Sequence, residues 1–512
     1  MRHAVTLRTA LLAGLVPALA GGARAHDALV GSAARTAEPP GIGGRDPAGH
    51  ATEDGSALAL AGLAVPALVR TAVVAGSYDG LPAQGSGDGP EFGQALAIDG
   101  DWLAVGAPGT QVDHGGAFGG AKPAGAVFLF QRIDDTWQPA LRLTPAQFGA
   151  APRCGQAVAL RGRNLLVGCP GAGVAAQPGS GHGTYLAWRR DLDEQWQPIP
   201  INASSSAGAQ CGAAVAVSAS GINGIAEAAI GCPGWNGSRG RVNTHQFDGL
   251  AGAWGAPAFV TASDGAGNDR FGASVSVYRP LTGGLFQRLA VGAPDKLDDL
   301  NPLAGRVYVF EGSSWATQAA SITGLQSGER FGTAVAVHAD QLAVGSLGGV
   351  SSACGVVTCG KATRYARVGG VWAVQDGSGP VNAGGQPPGP QPEMAFGSAL
   401  AIAPDGLIAV AGPRADSATL TLPPGTAADV GMVELRRNDD GTPGLGAASW
   451  QAELRPGALS GLALAGGRFG SALDFSGTTL AIGYPRSGTA ITGRRGQVWI
   501  YEDDRLFADG FQ

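Results

Sequence analysis

The sequence predicts an all-β fold, a seven-bladed β-propeller of four-stranded antiparallel blades. Three observations carry the prediction. A Phe-Gly or Cys-Gly dipeptide followed by an alternating apolar strand opens seven times, at 92, 154, 211, 271, 331, 396 and 469. The spacings are 62, 57, 60, 60, 65 and 73 residues, a regular period that marks a repeat architecture. Each opening is followed by a tight turn and a second strand, which ends in Gly-x-Pro or a close variant, as in Phe92-Gly93-Gln94-Ala95-Leu96-Ala97-Ile98 and Leu103-Ala104-Val105-Gly106-Ala107-Pro108.

The first strand of each repeat alternates small and large apolar residues: Ala95 and Ala97 against Leu96 and Ile98, Ser274 and Ser276 against Val275 and Val277. Period-2 alternation between two apolar classes means that both faces are covered. That suits blades around an axis, where a large face meets the small face of a neighbour. The second strand follows (Leu289–Val291, Leu480–Ile482), then a variable loop. A third strand opens on Gly, as in Gly125-Ala126-Val127-Phe128 and Gly305-Arg306-Val307-Tyr308. A Trp then introduces the fourth strand in six repeats: Trp137, Trp196, Trp254, Trp315, Trp372 and Trp450. Repeat seven lacks it. Residues 68–75, before the first Phe-Gly, stand where fourth strands stand elsewhere. They are expected to close the ring against 496–502, which removes two exposed edges.

The phrases FGQALAIDGDWLAVGAP, RFGASVSV…LAVGAP…GRVYVF and RFGTAVAV…LAVG resemble bacterial FG-GAP repeats, relatives of the integrin α-subunit propeller repeats. The resemblance spans roughly residues 65–502. It implies a propeller and adhesion-like roles. Integrin-type repeats often carry Asp-x-Asp-x-Asp-Gly between the first two strands, with oxygen ligands for Ca²⁺. Here the corresponding turns are short and poor in carboxylates: Asp99-Gly100-Asp101, Arg161-Gly162-Arg163-Asn164, His338-Ala339-Asp340-Gln341, Pro404-Asp405-Gly406 and Ser476-Gly477-Thr478. Calcium is therefore possible by family analogy only, and no cofactor is expected.

Charge and ends bound the function. The 512 residues include 86 Gly, well above the usual share of about 7%. The glycines fall at fixed offsets, so turns account for them. Three lysines (Lys122, Lys296, Lys361) against 31 arginines suggest a GC-rich bacterial genome. Arg2, His3 and Arg8, an apolar run from Ala10 to Ala20, and Ala23-Arg24-Ala25 read as an export signal cleaved after Ala25. Removing it shifts the formal charge from −6 to −9, with 31 basic and 40 acidic residues left. A net acidic chain is poorly suited to nucleic acid, and no later apolar run is long and unbroken enough to span a bilayer. The expected layout is 1–25 signal, 26–60 flexible leader, 61–502 propeller and 503–512 tail. The chain is expected to be a monomer, secreted, periplasmic or at the cell surface. The tail, ending Phe507-Ala508-Asp509-Gly510-Phe511-Gln512, is similar to short terminal sequences on exported gammaproteobacterial proteins; a sorting tag and a frayed end both fit.

Six cysteines in an exported chain suggest three disulfides. Cys154 and Cys211 replace the opening Phe in repeats two and three, and Cys169 and Cys232 replace the Ala of Gly-Ala-Pro in the same repeats. In a hairpin these positions lie side by side. The expected pairs are Cys154–Cys169 and Cys211–Cys232, with Cys354–Cys359 by remainder. A metal or redox role is the alternative; neither Cys-x-x-Cys nor a nearby His supports it.

No Gly-x-Ser-x-Gly, Walker loop or His-Glu-x-x-His occurs. On the first strands as read from the sequence, Asp474 is the sole carboxylate, which weighs against an enzyme with a central-channel site. The function expected is non-enzymatic binding of a protein or glycan by loops on one face; a channel-sited hydrolase or lyase and a purely structural envelope module are the alternatives. The loops after Gly-x-Pro (109–124, 171–182, 234–239, 295–304, 346–359, 414–430 and 486–495) differ most between repeats. Their candidate residues are Asp113, His114, His182, Trp235, Asn236, Asp295, Asp298, Asp299, Arg414, Asp416 and Arg486. For each alone, a solvated loop side chain is the simpler reading. Asp113 with His114 and His182 would suit a metal or a general base, and Asp295, Asp298 and Asp299 form an acidic cluster.

Overall fold

The computed structural model describes residues 68–503 apart from 80, 82–88, 114–120, 145–151, 174–180, 220–224, 250, 281–286, 299–300, 313–314, 349–358, 381–393, 416–428, 438–443, 446–449, 457–465 and 489–494. The expected signal, the leader and all of the tail but its first residue, Asp503, lie outside them.

The strands form seven antiparallel sheets of the same plan. Blade one holds Ala95–Asp99, Trp102–Ala107, Ala126–Ile133 and Thr136–Leu143. Blade two holds Ala157–Arg161, Asn164–Cys169, Thr184–Arg190 and Trp196–Ile199. In blade three, Ala214–Val217, Ala226–Cys232 and Arg241–Asp248 are followed by an outer strand split into Ala253–Trp254 and Ala258–Val260. Blade four is Ser274–Tyr278, Arg288–Ala293, Arg306–Glu311 and Thr317–Thr323. Blade five is Phe331–His338, Gln341–Ser346, Lys361–Val368 and Val371–Ser378. Blade six is Ala399–Ile402, Ile408–Gly412, Met432–Arg436 and Trp450–Leu454. Blade seven takes Leu473–Ser476, Thr479–Tyr484 and Gln497–Asp503 from the last repeat. Its fourth strand is Leu68–Val74, paired antiparallel with Gln497–Asp503 from Leu68↔Asp503 to Val74↔Val498.

The first strands of adjacent blades pack against one another around the axis, and the fourth strands lie outermost. The core is divided among the seven blade-to-blade interfaces, each with its own apolar cluster. At one of them Leu96, Ile98, Leu103 and Val105 of blade one meet Ala481 and Val498 of blade seven. At the next, Ala97 and Ala104 of blade one meet Val158, Leu160 and Leu165 of blade two. Large faces thus cover small ones, the packing that the alternation within each first strand calls for.

The repeated dipeptides make the joints between blades. The Phe or Cys that opens each repeat forms a parallel bridge with the Gly that opens the third strand of the blade before: Phe92↔Gly496, Gly125↔Cys154, Gly183↔Cys211, Gly240↔Phe271, Gly305↔Phe331, Gly360↔Phe396 and Gly431↔Phe469. The five Phe side chains are buried. The Gly of Gly-x-Pro touches the Gly after the next opening residue so closely that a Cβ on Gly106 would stand 1.9 Å from the Gly155 carbonyl oxygen. The motif therefore recurs because neighbouring blades meet backbone to backbone, as well as because it builds a hairpin.

Disulfides join Cys154 to Cys169 and Cys211 to Cys232, as the repeat alignment predicts. Cys354 lies outside the described residues, and with it the third expected pairing. Among the described residues no cysteine is free. One sequence reading needs correction. The first strands of blades one, two and five run to Asp99, Arg161 and His338. These residues belong to the strands' last positions, not to turns alone, so Asp474 is not the only carboxylate on the innermost strands.

Candidate functional site

The two ends of the ring differ in chemistry. One end carries the short turns between first and second strands. There the last first-strand positions of the blades converge, and their polar groups bind one another across blades. Arg161 reaches over blade one to Asp474 of blade seven, with Nη1–Oδ2 at 2.9 Å and Nη2–Oδ1 at 2.8 Å. Its Nη1 also donates to the Ile98 carbonyl at 2.9 Å. Asp474 Oδ2 accepts from Ile98 N at 2.9 Å, and Asp99 Oδ2 accepts from Gly162 N at 2.7 Å. Ser276 Oγ takes Val337 N at 3.1 Å at another joint. His338 stacks edge-on with Tyr278, ring centroids 5.0 Å apart. Burial, with the nearby Arg161 charge, holds its pKa below the usual histidine value. The charges at this end serve as ties between blades.

The other end carries the Phe-Gly bridges and the variable loops. In every repeat the residue before the opening Phe or Cys has left-handed backbone: Glu91, Arg153, Gln210, Arg270, Arg330, Ala395 and Arg468, with φ between 52° and 61°. At blades one and two the charges are neutralised locally: Arg153 donates to Glu91 at 3.2 Å and to Gln156 at 2.9 Å, and Arg486 stands 3.7 Å from Glu91.

Repeats four and five build more. Asp269, two residues before Phe271, accepts from Ala266 N at 2.6 Å and from Lys296 Nζ at 2.9 Å. Lys296 is buried and also donates to the Asp264 carbonyl at 2.6 Å. Burial pushes the Asp264 carboxyl up, but Tyr308 Oη at 2.6 Å, Lys296 and Arg306 outweigh it and hold Asp264 below the usual carboxylate range. Glu329 repeats the arrangement one blade on, accepting from Leu325 N and Gln326 N at 2.7 and 2.9 Å and pairing with Lys361 at 2.8 Å. These acids fix the loops that carry Arg270 and Arg330.

Between those arginines lies a cleft of about 390 Å³. Asp295 sits on its floor, 3.5 Å from Arg270 Nη1 and 3.6 Å from Arg330 Nε. Leu297 and Leu303 form an apolar wall, 58% and 37% exposed. Ser238 and Asn268 complete the rim.

Of the residues singled out in the sequence, Asp295 is thus central to the cleft. Asp298 stands 3.7 Å from Arg306. Trp235 is half-buried, with the Arg241 guanidinium 5.2 Å from its ring, and exposed Asn236 follows in a tight turn of left-handed backbone, Trp235–Ser238. Asp113 ends the short strand Gln111–Asp113, paired with Ala121–Pro123. The carbonyl of half-buried His182 accepts from Cys211 N at 3.1 Å. Exposed Arg414 donates its backbone N–H to Met394. His114, Asp299 and Asp416 lie outside the described residues. Sequence reasoning passed over Arg270 and Arg330, although the polar residue before Phe is a visible position of the repeat. Among the described residues no group of three or more His, Cys, Asp or Glu is placed to hold a metal ion, and no helix is long and apolar enough to cross a membrane.

Seven four-stranded blades joined in a ring define a β-propeller. Residues 254–310 match the FG-GAP repeat family. With six further copies of the motif on the same plan, the chain fits an FG-GAP repeat propeller protein. No curated protein matches it. Among solved structures it is similar to Chaetomium thermophilum Sqt1 bound to the N-terminus of the ribosomal protein L10: 14% identity and a TM-score of 0.39, covering 76% of this chain and 81% of that one.

Proposed function

We propose that the chain is an exported, non-enzymatic propeller that binds a protein or glycan through the loops on its Phe-Gly face. The observation that carries this reading is the combination, on that one face, of a constant joint and unequal loops. The seven parallel bridges repeat from blade to blade, while the loops they anchor range from 234–239 to 414–430. A rigid scaffold presenting variable loops is the usual arrangement for recognition. The charged groups of the opposite end, Arg161, Asp474 and Asp99, are engaged in tying blades seven, one and two, which disfavours a channel-centred enzyme. Two disulfides suit an oxidising compartment, in keeping with residues 1–25 acting as an export signal. No cofactor is part of this reading.

Photo-crosslinking in the native host tests it. A benzophenone side chain at Asn236, on the loop face, is expected to capture a defined partner. The same group at Asp134, in the turn between third and fourth strands on the opposite face, is expected to capture none. Equal capture at both positions, or at neither, overturns the proposal.

A further inference from the structure

We propose that the cleft between Arg270 and Arg330 binds the carboxylate of an acidic peptide segment, with Leu297 and Leu303 receiving an adjacent apolar side chain. This deepens the binding function above and rests on it.

The two guanidinium groups share one carboxylate. Asp295 stands 3.5 and 3.6 Å from them, beyond the roughly 2.7–2.9 Å of a strong charge-assisted bond. Neither guanidinium makes a side-chain hydrogen bond within the described residues, whereas Arg153, at the same repeat position, is bound to Glu91 and Gln156. Both side chains are about half exposed, 47% and 51%. The cleft thus presents two donor forks and a surplus of one positive charge.

Its frame is rigid. Arg270 N donates to the Ser238 carbonyl at 2.8 Å and Arg330 N to the Leu303 carbonyl at 3.1 Å, so each arginine is tied by its backbone to the loop beside it. A pre-formed pair of forks lowers the ordering cost of binding. A planar carboxylate matches the guanidinium fork in two-pronged geometry. The exposed leucines decide between polymers. An acidic polysaccharide presents hydroxyls to that wall, whereas a peptide presents apolar side chains.

The test uses the full chain, fluorescence anisotropy and a labelled acetyl-Leu-Asp-Leu-Glu-Leu-amide peptide. This probe is expected to bind, and its Asn/Gln counterpart to bind at least about tenfold more weakly. The double variant Arg270→Gln/Arg330→Gln is expected to lose at least about tenfold with an unchanged unfolding midpoint. Arg330→Lys keeps the charge without the fork and is expected to weaken binding about threefold or more, which provides a readout if the double variant fails to fold. Asp295→Asn removes the competing carboxylate and is expected to tighten binding. The proposal is overturned by no binding at millimolar peptide, by equal binding of the amide peptide or of the arginine variants, or by binding of oligogalacturonate in the peptide's place. If the parent protein does not bind the peptide while the Asn236 crosslink still forms, this cleft assignment falls and the loop-face reading stands.

Discussion

Arg161 of blade two and Asp474 of blade seven meet across the inner edge of blade one, in a two-pronged ion pair of 2.8 and 2.9 Å that encloses the Ile98 backbone. The ring closes at blade seven, next to blade one, because Leu68–Val74, ahead of the first repeat, supplies the fourth strand of blade seven. The pair therefore ties the two ends of the propeller at its axis, while the strand pairing ties them at the rim. Asp474→Ala removes the guanidinium's partner and the acceptor for Ile98 N together. A loss of about 1–3 kcal/mol is expected. Asp474→Ser places there the side chain that blade four uses, where Ser276 accepts Val337 N at 3.1 Å. It should keep the backbone bond and cost less than the alanine. Urea unfolding of the three proteins checks the order, and equal loss in both variants would contradict it.

Gly106 is expected to be among the least tolerant positions of its repeat, although repeat six accommodates Ala411 at the equivalent place. A Cβ on Gly106 would meet the Gly155 oxygen at 1.9 Å, and backbone cannot swing aside as a side chain can. Gly106→Ala should cost about 3 kcal/mol, the upper end of the usual range for an overpacked core. Gly477→Ala is the comparison, since φ there is +57° but nothing lies within 4 Å. Its expected cost is about 1 kcal/mol, the strain of left-handed backbone alone. Thermal unfolding separates steric clash from backbone strain in this pair.

The disulfides stand where other repeats place Phe and Ala. Opening the Cys154–Cys169 bridge, which spans 15 residues, is expected to cost about 3 kcal/mol. Cys154→Ala/Cys169→Ala should show that loss in urea unfolding. Cys154→Phe/Cys169→Ala restores the pair found at Phe92 and Ala107, where the ring packs edge-on against Phe128 at 5.4 Å. Part of the lost stability should return, and this variant's midpoint should respond to reductant only through the remaining bridges. A Phe variant no more stable than the double alanine would show that the bridge and the aromatic are not interchangeable joints.

What the sequence made legible is what depends on a local period. The alternation within Ala95–Asp99 and its relatives fixes which faces are buried, and the shared substitution of Cys154 with Cys169 exposes a hairpin neighbour pair. The ties at the axis were hidden because their partners are 313 positions apart, and because Asp99, Arg161 and His338 adjoin Gly or Ala turns that mask the end of the strand. The contact of Gly106 with Gly155 was hidden for another reason: a glycine kept for closeness to a neighbouring backbone has the same letter as one kept for a turn. At the cleft, Asp295 could be picked out as a loop acid. Its position between Arg270 and Arg330 follows only when blades four and five are side by side.

His245 gives a pH prediction with a definite sign. Its buried ring lies between Gly255 O, 2.9 Å from Nδ1, and Tyr185 Oη, 2.9 Å from Nε2. A carbonyl can only accept, so Nδ1 carries the proton and Nε2 of the neutral ring accepts from the tyrosine. Burial holds the histidine below its usual pKa. The unfolded chain therefore takes up a proton near pH 6.5 while the folded chain resists it. The stabilising contribution is present above about pH 6.5 and is lost as pH falls through the folded value. His338 adds a change of the same sign. Buried Glu227, whose carboxyl is raised, acts in the opposite sense, being stabilising at low pH and less so as pH rises through its folded value. Substitution isolates the histidine: His245→Gln should be less stable than the parent at pH 8, yet lose less between pH 7.5 and 5.5. Parallel stability curves for the two proteins over that interval would show that His245 does not titrate on unfolding.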